Sequence, residues 1–236
     1  MSVEIALRAA HVRYGPLEAL HGVDLPVPPG TVTVLLGRNG SGRTTVLRAL
    51  AGTVPLSAGR VLWRGADVTR LHAHRRARRG LCFVPDRRAV YATLTVTENL
   101  RLGAPGRDFT PALDAYPELR PLLPRRAGTL SGGEQRMLAL SRALLTPARV
   151  VLVDEPALGM SPAVAARTYG LLGGLADRGA AVVLAEQRPP AGLPHGTLAH
   201  ELRRGALSFS GELAEFTSRS SGGPSSGERR PPSGPA

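Results

Sequence analysis

The sequence predicts an α/β fold built around a mostly parallel sheet. Three observations support this prediction. Strand-like apolar segments alternate with helical ones, the segments VVLV and AAVVLAE are apolar enough to be buried strands, and a glycine-rich turn joins an apolar strand to a helix. Antiparallel strands near the N-terminus and an inserted helical subdomain complete the expected architecture.

The N-terminal part of the chain predicts mostly strands. VEIALRAAHVRYG alternates enough for strands, and VDLPVPPG is a further strand that ends in a Pro-Pro-Gly turn before the strand TVTVLLG. VLRALAG has the apolar spacing of a helix, VLWRG predicts a strand, and LCFVP predicts a short buried strand.

Helices dominate the next part. The segments TVTENLRL, PALDAYPELRPLL and GGEQRMLALSRALL predict a helical subdomain over about 94–147. A strand, ARVVLVDEP, a helix, AVAARTYGLLGGLADRG, and a strand, AAVVLAE, follow, and Pro189-Pro190 then disfavours a helix. From about Ser218 almost nothing apolar remains, so we expect one folded domain over 1–217 and a disordered Ser/Gly/Pro/Arg tail over 218–236.

Composition narrows the class of protein. No apolar run approaches the roughly 18 to 20 residues that cross a membrane, and the N-terminus lacks the pattern of a secretory signal, so a cytoplasmic location is expected. Cys82 is the single cysteine, which excludes an intrachain disulfide and makes a metal site there a poor prospect. We interpret Cys82 as apolar filler in the strand LCFV.

All 30 basic residues are arginine, and they leave a net charge of +12. The absence of lysine points to a chain-wide replacement of lysine by arginine rather than to a basic face built for an anionic partner. The densest cluster, 72–79, reads HAHRRARR, with no aromatic residue between the arginines for base stacking. A solvated helix face is the expectation here, and contact with acidic lipid headgroups or RNA is the alternative.

The stretch LGRNGSGRTT follows the pattern of a phosphate-binding loop, with Arg43 where such loops place lysine. It comes after the apolar strand VTVLL and opens a helix, which is the context that the pattern requires. Glycines let backbone N–H groups turn toward phosphate oxygens, the helix N-terminus adds its positive end, and the Thr44 hydroxyl can reach Mg²⁺. An ordinary strand-to-helix turn is the alternative.

Two further motifs carry chemistry. VVLVDEP places Asp154 and Glu155 at the C-terminal end of a buried strand, where one carboxylate can support a metal through water and the next can act as general base. LSGGEQ, at 130–135, begins a helix, so the Ser131 hydroxyl and the glycine amides can donate to an anion. Ser131 and Glu134 also fit a capping box, and both roles are compatible.

These motifs together resemble ATP-binding-cassette (ABC) proteins over nearly the whole chain up to about residue 217. The segments LLGRNGSGRTT, VPDRRAVYATLTVTENLRLG, AGTLSGGEQRMLALSRAL and LVDEPALGMSP are most similar to the smaller ATP-binding subunit of branched-chain amino-acid importers. The resemblance implies a P-loop NTPase (ABC ATPase) core, ATP and Mg²⁺ as ligands, and ATP hydrolysis that drives transport. Urea or amides are alternative solutes.

The resemblance also implies partners. A second ABC ATPase subunit would pair head to tail with this chain, with the Ser131 helix of each subunit closing the other's glycine loop and Ser161 at the interface. Transmembrane permease subunits would hold the pair on the inner face of the cell membrane. No nucleic-acid partner is expected, because the long coiled-coil insertion of repair cassettes is not present.

By the same resemblance, Tyr14 is the aromatic residue that stacks on adenine, with a core tyrosine as an equal alternative. Glu155, Arg43 and Gln187 are the catalytic residues, Gln187 standing at the position of a switch histidine. Thr44, Asp86 and Asp154 are the metal-site residues. The nucleotide-binding residues are Tyr14, Gly37, Arg38, Asn39, Gly40, Ser41, Gly42, Arg43, Thr44 and Thr45 for the chain's own nucleotide, and Ser131, Gly132, Gly133, Glu134 and Gln135 for its partner's.

Arg43 leads to a specific hypothesis. Arginine keeps the charge of lysine but is planar, forked and bulkier, so it cannot occupy the same phosphate pocket identically. We expect the subunit to bind ATP and to complete its partner's site while hydrolysis at its own loop is slowed. A nucleotide-binding partner with weak or no hydrolysis of its own is the alternative function.

Overall fold

The computed structural model describes residues 2–104 and 108–221, and it contains two sheets. The first is antiparallel with the strand order β2-β1-β4-β5. Its strands are β1 (Ile5–Tyr14), β2 (Leu17–Val27), β4 (Ala58–Trp63) and β5 (Ala66–Asp67). The antiparallel strands expected near the N-terminus are therefore present, although VEIALRAAHVRYG forms a single strand.

The second sheet has the order β10-β9-β3-β8-β7-β6, and only β10 runs antiparallel to its neighbour. Its strands are β3 (Thr31–Leu36), β6 (Leu81–Val84), β7 (Val150–Asp154), β8 (Ala181–Glu186), β9 (Leu198–Arg203) and β10 (Ala206–Glu212). Leu36 pairs with Glu186 and Asp154 with Ala185, so the carboxyl ends of β3, β7 and β8 meet at one edge. That edge is where ligands bind in sheets of this kind.

Helices connect the strands and cover the parallel sheet. They are α1 (Arg43–Ala51), α2 (Ala73–Arg78), α3 (Val96–Gly103), α4 (Thr110–Ala115), α5 (Gly132–Leu145), α6 (Pro162–Asp177) and α7 (Leu213–Ser221), with 3-10 turns at Pro117–Leu122 and Ala127–Thr129. The segment predicted as a helical subdomain thus holds α3, α4 and α5. None of the helices in the described residues is long and apolar enough to cross a membrane.

The parallel sheet is buried on both faces. Val34 and Leu36 of β3 point to a core formed with α3, α5 and α6, whereas Leu35 between them packs with α1 and the antiparallel sheet. This alternation explains why strands such as β7 are apolar at consecutive positions, since each face needs its own buried side chains. Cys82 packs against the core that β3 forms with α3, α5 and α6, and burial raises the pKa of its thiol to about 11. Both observations agree with the interpretation of Cys82 as an apolar packing residue.

The basic cluster 72–79 forms α2, but the expectation of a wholly solvated face was wrong at Arg76. Its side chain is buried, and the guanidinium donates to the carbonyl oxygens of Leu71, Ala49, Leu50, Val68 and Thr69 at 2.7–3.2 Å. Helix periodicity turns one residue of this short helix toward the interior. The carbonyl oxygens accept hydrogen bonds from its buried guanidinium, which offsets the free-energy cost of removing the charge from water. Arg75 and Arg78 are exposed, as expected.

The C-terminal part holds elements that the sequence did not predict. β9 and β10 form a hairpin at the edge of the sheet, and β10 exposes every second residue, so its apolar pattern is weak. α7 extends to Ser221, which moves the start of the predicted tail beyond Ser218; residues 222–236 of that tail lie outside the described residues. Residues 187–197, all described, contain no helix, in agreement with Pro189-Pro190.

Candidate functional site

The glycine loop lies between the end of β3 and the start of α1. Gly42 is the N-cap of α1, with φ 108°, and as a glycine it has no side chain that could accept from the first turn, which leaves N–H groups of that turn to a ligand. A Cβ atom at Gly37 would lie 2.5 Å from the Leu202 carbonyl oxygen and 2.6 Å from Ser41 Oγ. The loop can therefore close only with glycine at Gly37 and with a left-handed residue at Gly42.

A cleft of about 790 Å³ opens in front of this loop, a size suited to a nucleotide. It brings together residues from six segments of the chain, within 14–21, 38–45, 86–87 and 155–158, at 187, and at 204–205. The predicted site residues that line it are Tyr14, Arg38, Asn39, Gly40, Ser41, Gly42, Arg43, Thr44, Thr45, Asp86, Glu155 and Gln187.

Tyr14 lies at the end of β1 with 41% of its surface exposed, and Leu17 beside it is also exposed. Both residues line the cleft. The alternative of a core tyrosine was therefore wrong, because the ring borders open space. An exposed aromatic face next to a phosphate-binding loop is available to a nucleotide base.

Arg43 is 6% exposed and lies inside the loop. Its Nη2 donates to Asn39 Oδ1 at 3.4 Å and to Glu155 Oε1 at 3.5 Å, both long contacts. Its Nη1 is buried and has no partner among the described residues. Since a buried donor without an acceptor is costly, this nitrogen fits an anionic ligand such as a phosphate.

Asp154 is 1% exposed, and its Oδ2 also has no partner among the described residues. Burial is the main cause that raises the pKa of this carboxyl, a hydrogen bond from Thr44 opposes the rise, and the charges of Asp86 and Glu155 add to it. Thr44 and Asp86 line the cleft, and Asp154 accepts a hydrogen bond from Thr44; hydroxyl and carboxylate oxygens are hard donors of the type that Mg²⁺ prefers. Thr44, Asp86 and Asp154 therefore fit a magnesium ion with its waters.

Because the pKa of Asp154 is raised, we expect the stability of the folded protein to depend on pH. The folded protein binds this proton more tightly than the unfolded chain, so the associated stability is present at low pH and is lost as pH rises through the folded pKa. At neutral pH, D154N should raise the Tm of the nucleotide-free protein by about 2–4 °C. The same variant should lose the Mg²⁺-dependent gain in nucleotide affinity.

Differential scanning fluorimetry with and without Mg²⁺ and ATP measures both effects. D177N is the matched control, because Asp177 is exposed at the end of α6 and far in sequence from the cleft. A lower Tm for D154N than for the parent in the absence of ligand would contradict the prediction.

Glu155 follows β7 in a left-handed conformation, with φ 49°, which is uncommon for a residue with a side chain. Its N–H donates to the Ala185 carbonyl oxygen at 2.9 Å, and its carboxylate lines the cleft. Gln187 Nε2 donates to Glu155 Oε1 at 3.2 Å. The two residues predicted as general base and switch are thus in direct contact.

The Ser131 helix does not join this cleft. The capping box is confirmed: Ser131 Oγ accepts from the Glu134 N–H at 3.3 Å, and Glu134 Oε2 accepts from the Ser131 N–H at 2.7 Å. Gly132 and Gln135 line a neighbouring cleft of about 310 Å³ that Asp86 also borders. A nucleotide in the glycine loop would therefore leave these donors free.

Sequence reasoning missed three residues at the site. Arg136 is buried behind Asp154, Glu186 accepts a hydrogen bond from Tyr169 at the end of β8, and Arg204 borders the cleft from the β9–β10 turn. Arg136 directly follows the LSGGEQ motif, and Glu186 directly precedes Gln187, so proximity to motifs was a signal for two of them. Arg204 carried no signal, since its hairpin was not predicted.

Comparison with known proteins identifies similar sequences. The sequence model of the ABC transporter family matches residues 20–158. The chain is 34% identical to the high-affinity branched-chain amino acid transport ATP-binding protein BraG of Pseudomonas aeruginosa, over 82% of this chain and 86% of that protein. It is 36% identical to the probable branched-chain amino acid transport ATP-binding protein LivF of Archaeoglobus fulgidus, over 86% of this chain and 89% of that protein.

The fold has counterparts among solved structures. A nucleotide-free ATP-binding cassette from an ABC transporter superimposes with a TM-score of 0.80 at 24% identity, covering 94% of this chain and 96% of that one. The similarity of fold confirms the predicted α/β architecture with its antiparallel N-terminal strands.

Proposed function

The chain belongs to the ABC transporter family and is an ATPase of that family, and we propose that it powers an importer of branched-chain amino acids. The names of the two similar transport proteins support this solute class, and both are matched over most of their length. The solute itself would be bound by other subunits, so no residue of this chain is expected to contact it. Urea and amides are the alternative solutes.

One observation carries the proposal for this chain's own site. Arg43 Nη1 and Asp154 Oδ2 carry opposite charges, are buried, and are both unpartnered among the described residues. Each residue keeps another contact, Arg43 with Glu155 and Asp154 with Thr44, but a buried polar atom without a partner is costly, and these two atoms suit an anionic and a cationic group respectively. A triphosphate with its magnesium ion supplies both groups at the N-terminus of α1.

The residues then have distinct tasks. The amides of the glycine loop and Arg43 hold the phosphates, and Tyr14 receives the base on its exposed face. When bound, Mg²⁺ neutralises charge on the phosphate oxygens, and Thr44, Asp86 and Asp154 are the residues that would hold it. Glu155 orients the attacking water and accepts its proton, while Gln187 fixes the orientation of that carboxylate.

The proposed partners follow from the free donors of the Ser131 helix. A second cassette would place its nucleotide against Ser131 and the glycine amides that follow it, none of which lines this chain's own nucleotide cleft. Ser161 caps α6 on the segment after Glu155 and is exposed, so it is available to the same partner. Permease subunits would hold the pair at the inner face of the membrane.

A second candidate function is supported by Arg43 alone. Its long contacts with Asn39 and Glu155 place a bulky cation beside the proposed general base. The subunit would then bind ATP and complete its partner's site with slow hydrolysis of its own.

A reconstitution experiment tests the proposal. The expected result is saturable binding of ATP in the presence of Mg²⁺. ATP-dependent uptake of leucine should follow in proteoliposomes that hold the cognate permeases and second cassette. Uptake of urea or an amide without uptake of leucine would contradict the solute class. No saturable ATP binding, even with the second cassette present, would contradict the function altogether.

A further inference from the structure

Arg136 joins the helix that begins at Ser131 to the segment that carries Glu155. The side chain is 5% exposed, and within the described part of the chain its guanidinium donates to three backbone carbonyl oxygens. Nη1 donates to Pro85 at 2.6 Å, Nε to Pro156 at 3.4 Å, and Nη2 makes a short contact with Asp154.

These acceptors are placed around the proposed catalytic carboxylates. Asp154 and Pro156 are the residues immediately before and after Glu155, so the guanidinium holds the backbone on both sides of it. Pro85 immediately precedes Asp86. Because Glu155 has φ 49°, its conformation needs such support from its surroundings.

The N-terminus of α5 contacts the same segment a second time. A Cβ atom at Gly133 would lie 2.6 Å from the Gly159 carbonyl oxygen, so the first turn of α5 packs directly on the loop that follows Glu155. Helix α5 and residues 154–159 are therefore linked at two points. A shift of the helix would be transmitted to the Glu155 backbone.

The geometry points to Arg136 as a positioning residue that sets the orientation of Glu155 and couples it to the position of the Ser131 helix. This inference rests on the proposed function, in which a second cassette engages that helix. Arginine suits the task because its planar fork reaches carbonyl oxygens in several directions, whereas the single ammonium of a lysine cannot span them. Arg136 itself acts only through Glu155, whose backbone it holds on both sides.

The test compares R136K with R142K in the assembled complex with the second cassette. Arg142 lies on the same helix, donates to the Ala89 carbonyl oxygen at 3.3 Å and stacks on Tyr91, away from the catalytic segment. R136K should lower kcat about 10- to 100-fold, the effect of a small misplacement of a catalytic group, with KM and the Kd for ATP within about twofold of the parent. R142K should keep the parent kcat.

A double-mutant cycle separates positioning from a general loss of structure. In the E155Q background, R136K should change the residual single-turnover rate less than about twofold, because the group that Arg136 orients is already removed. An equal loss in both backgrounds would overturn the inference. R136Q, which keeps part of the donor set, provides the same cycle if R136K does not fold.

The outcomes distinguish the inference from the function on which it rests. A parent complex that hydrolyses ATP and an R136K complex with the same kcat would overturn the inference alone. A parent complex without any turnover would overturn the proposed function and the inference with it.

Discussion

E155Q is expected to lower ATP turnover at this chain's own site by about 100- to 10,000-fold, the range for removal of a general base. Glutamine keeps the shape of the side chain and its contact with Gln187 but cannot accept a proton. Binding of ATP should be retained, since the phosphates are held by the glycine loop. The measurement is single-turnover hydrolysis in complex with a second cassette that is disabled at its own glycine loop.

E215Q is the matched control for this prediction. Glu215 is exposed on α7, so its replacement should leave the rate unchanged. An E155Q rate within about threefold of the parent would show that another group takes the proton; such a small change lies well below the effect of a general base. Glu186 would then be the next residue to test, because it is a half-buried carboxyl at the end of the neighbouring strand, directly before Gln187.

R43K is expected to raise turnover at the same site. Lysine would replace a forked group that contacts Asn39 and Glu155 by a compact ammonium that reaches the phosphates alone. A misplaced charge contact in a transition state is worth about 2–4 kcal/mol, which corresponds to an increase of roughly 30- to 1,000-fold in rate. Steady-state hydrolysis by the complex with the second cassette measures it.

R48K serves as the control, since Arg48 lies on the same helix and does not line the cleft. A change in turnover below about twofold for R43K would contradict the idea of a slowed site. If R43K does raise turnover, the loss caused by E155Q is best measured in the R43K background. Both predictions are then measured at the same site, with the faster R43K rate as the reference for the loss caused by E155Q.

The sequence predicted the central part of the fold well because that part repeats one physical pattern. Buried strands such as β7 and β8 are apolar at successive positions, and the loop glycines mark turns that other residues cannot form. The β9–β10 hairpin was missed because the edge strand β10 alternates between exposed and half-buried residues and so resembles an exposed loop. Arg76 was assigned to a solvated face because composition does not show which side of a helix is buried.

Some residues of the candidate site were predictable from the sequence and others were not. Its motif residues were predictable because phosphate binding requires glycines, a hydroxyl and carboxylates at set spacings. The structure shows that most of these residues lie close together around the cleft. Their roles in binding and catalysis stay predictions. Arg136 was not predicted, because a buried guanidinium bonded to carbonyl oxygens has no pattern in the sequence.

Taken alone, the sequence determined the α/β class, the glycine loop, the acidic pair and the Ser131 helix, because each depends on local backbone preferences and on burial along one segment. Only the tertiary structure decided that Tyr14, Arg43, Glu155 and Gln187 border one cleft and that the start of the Ser131 helix lines a neighbouring cleft instead. The reason is that strand order and register bring distant segments together. Contacts between such segments depend on the packing of the whole core, which no short stretch encodes.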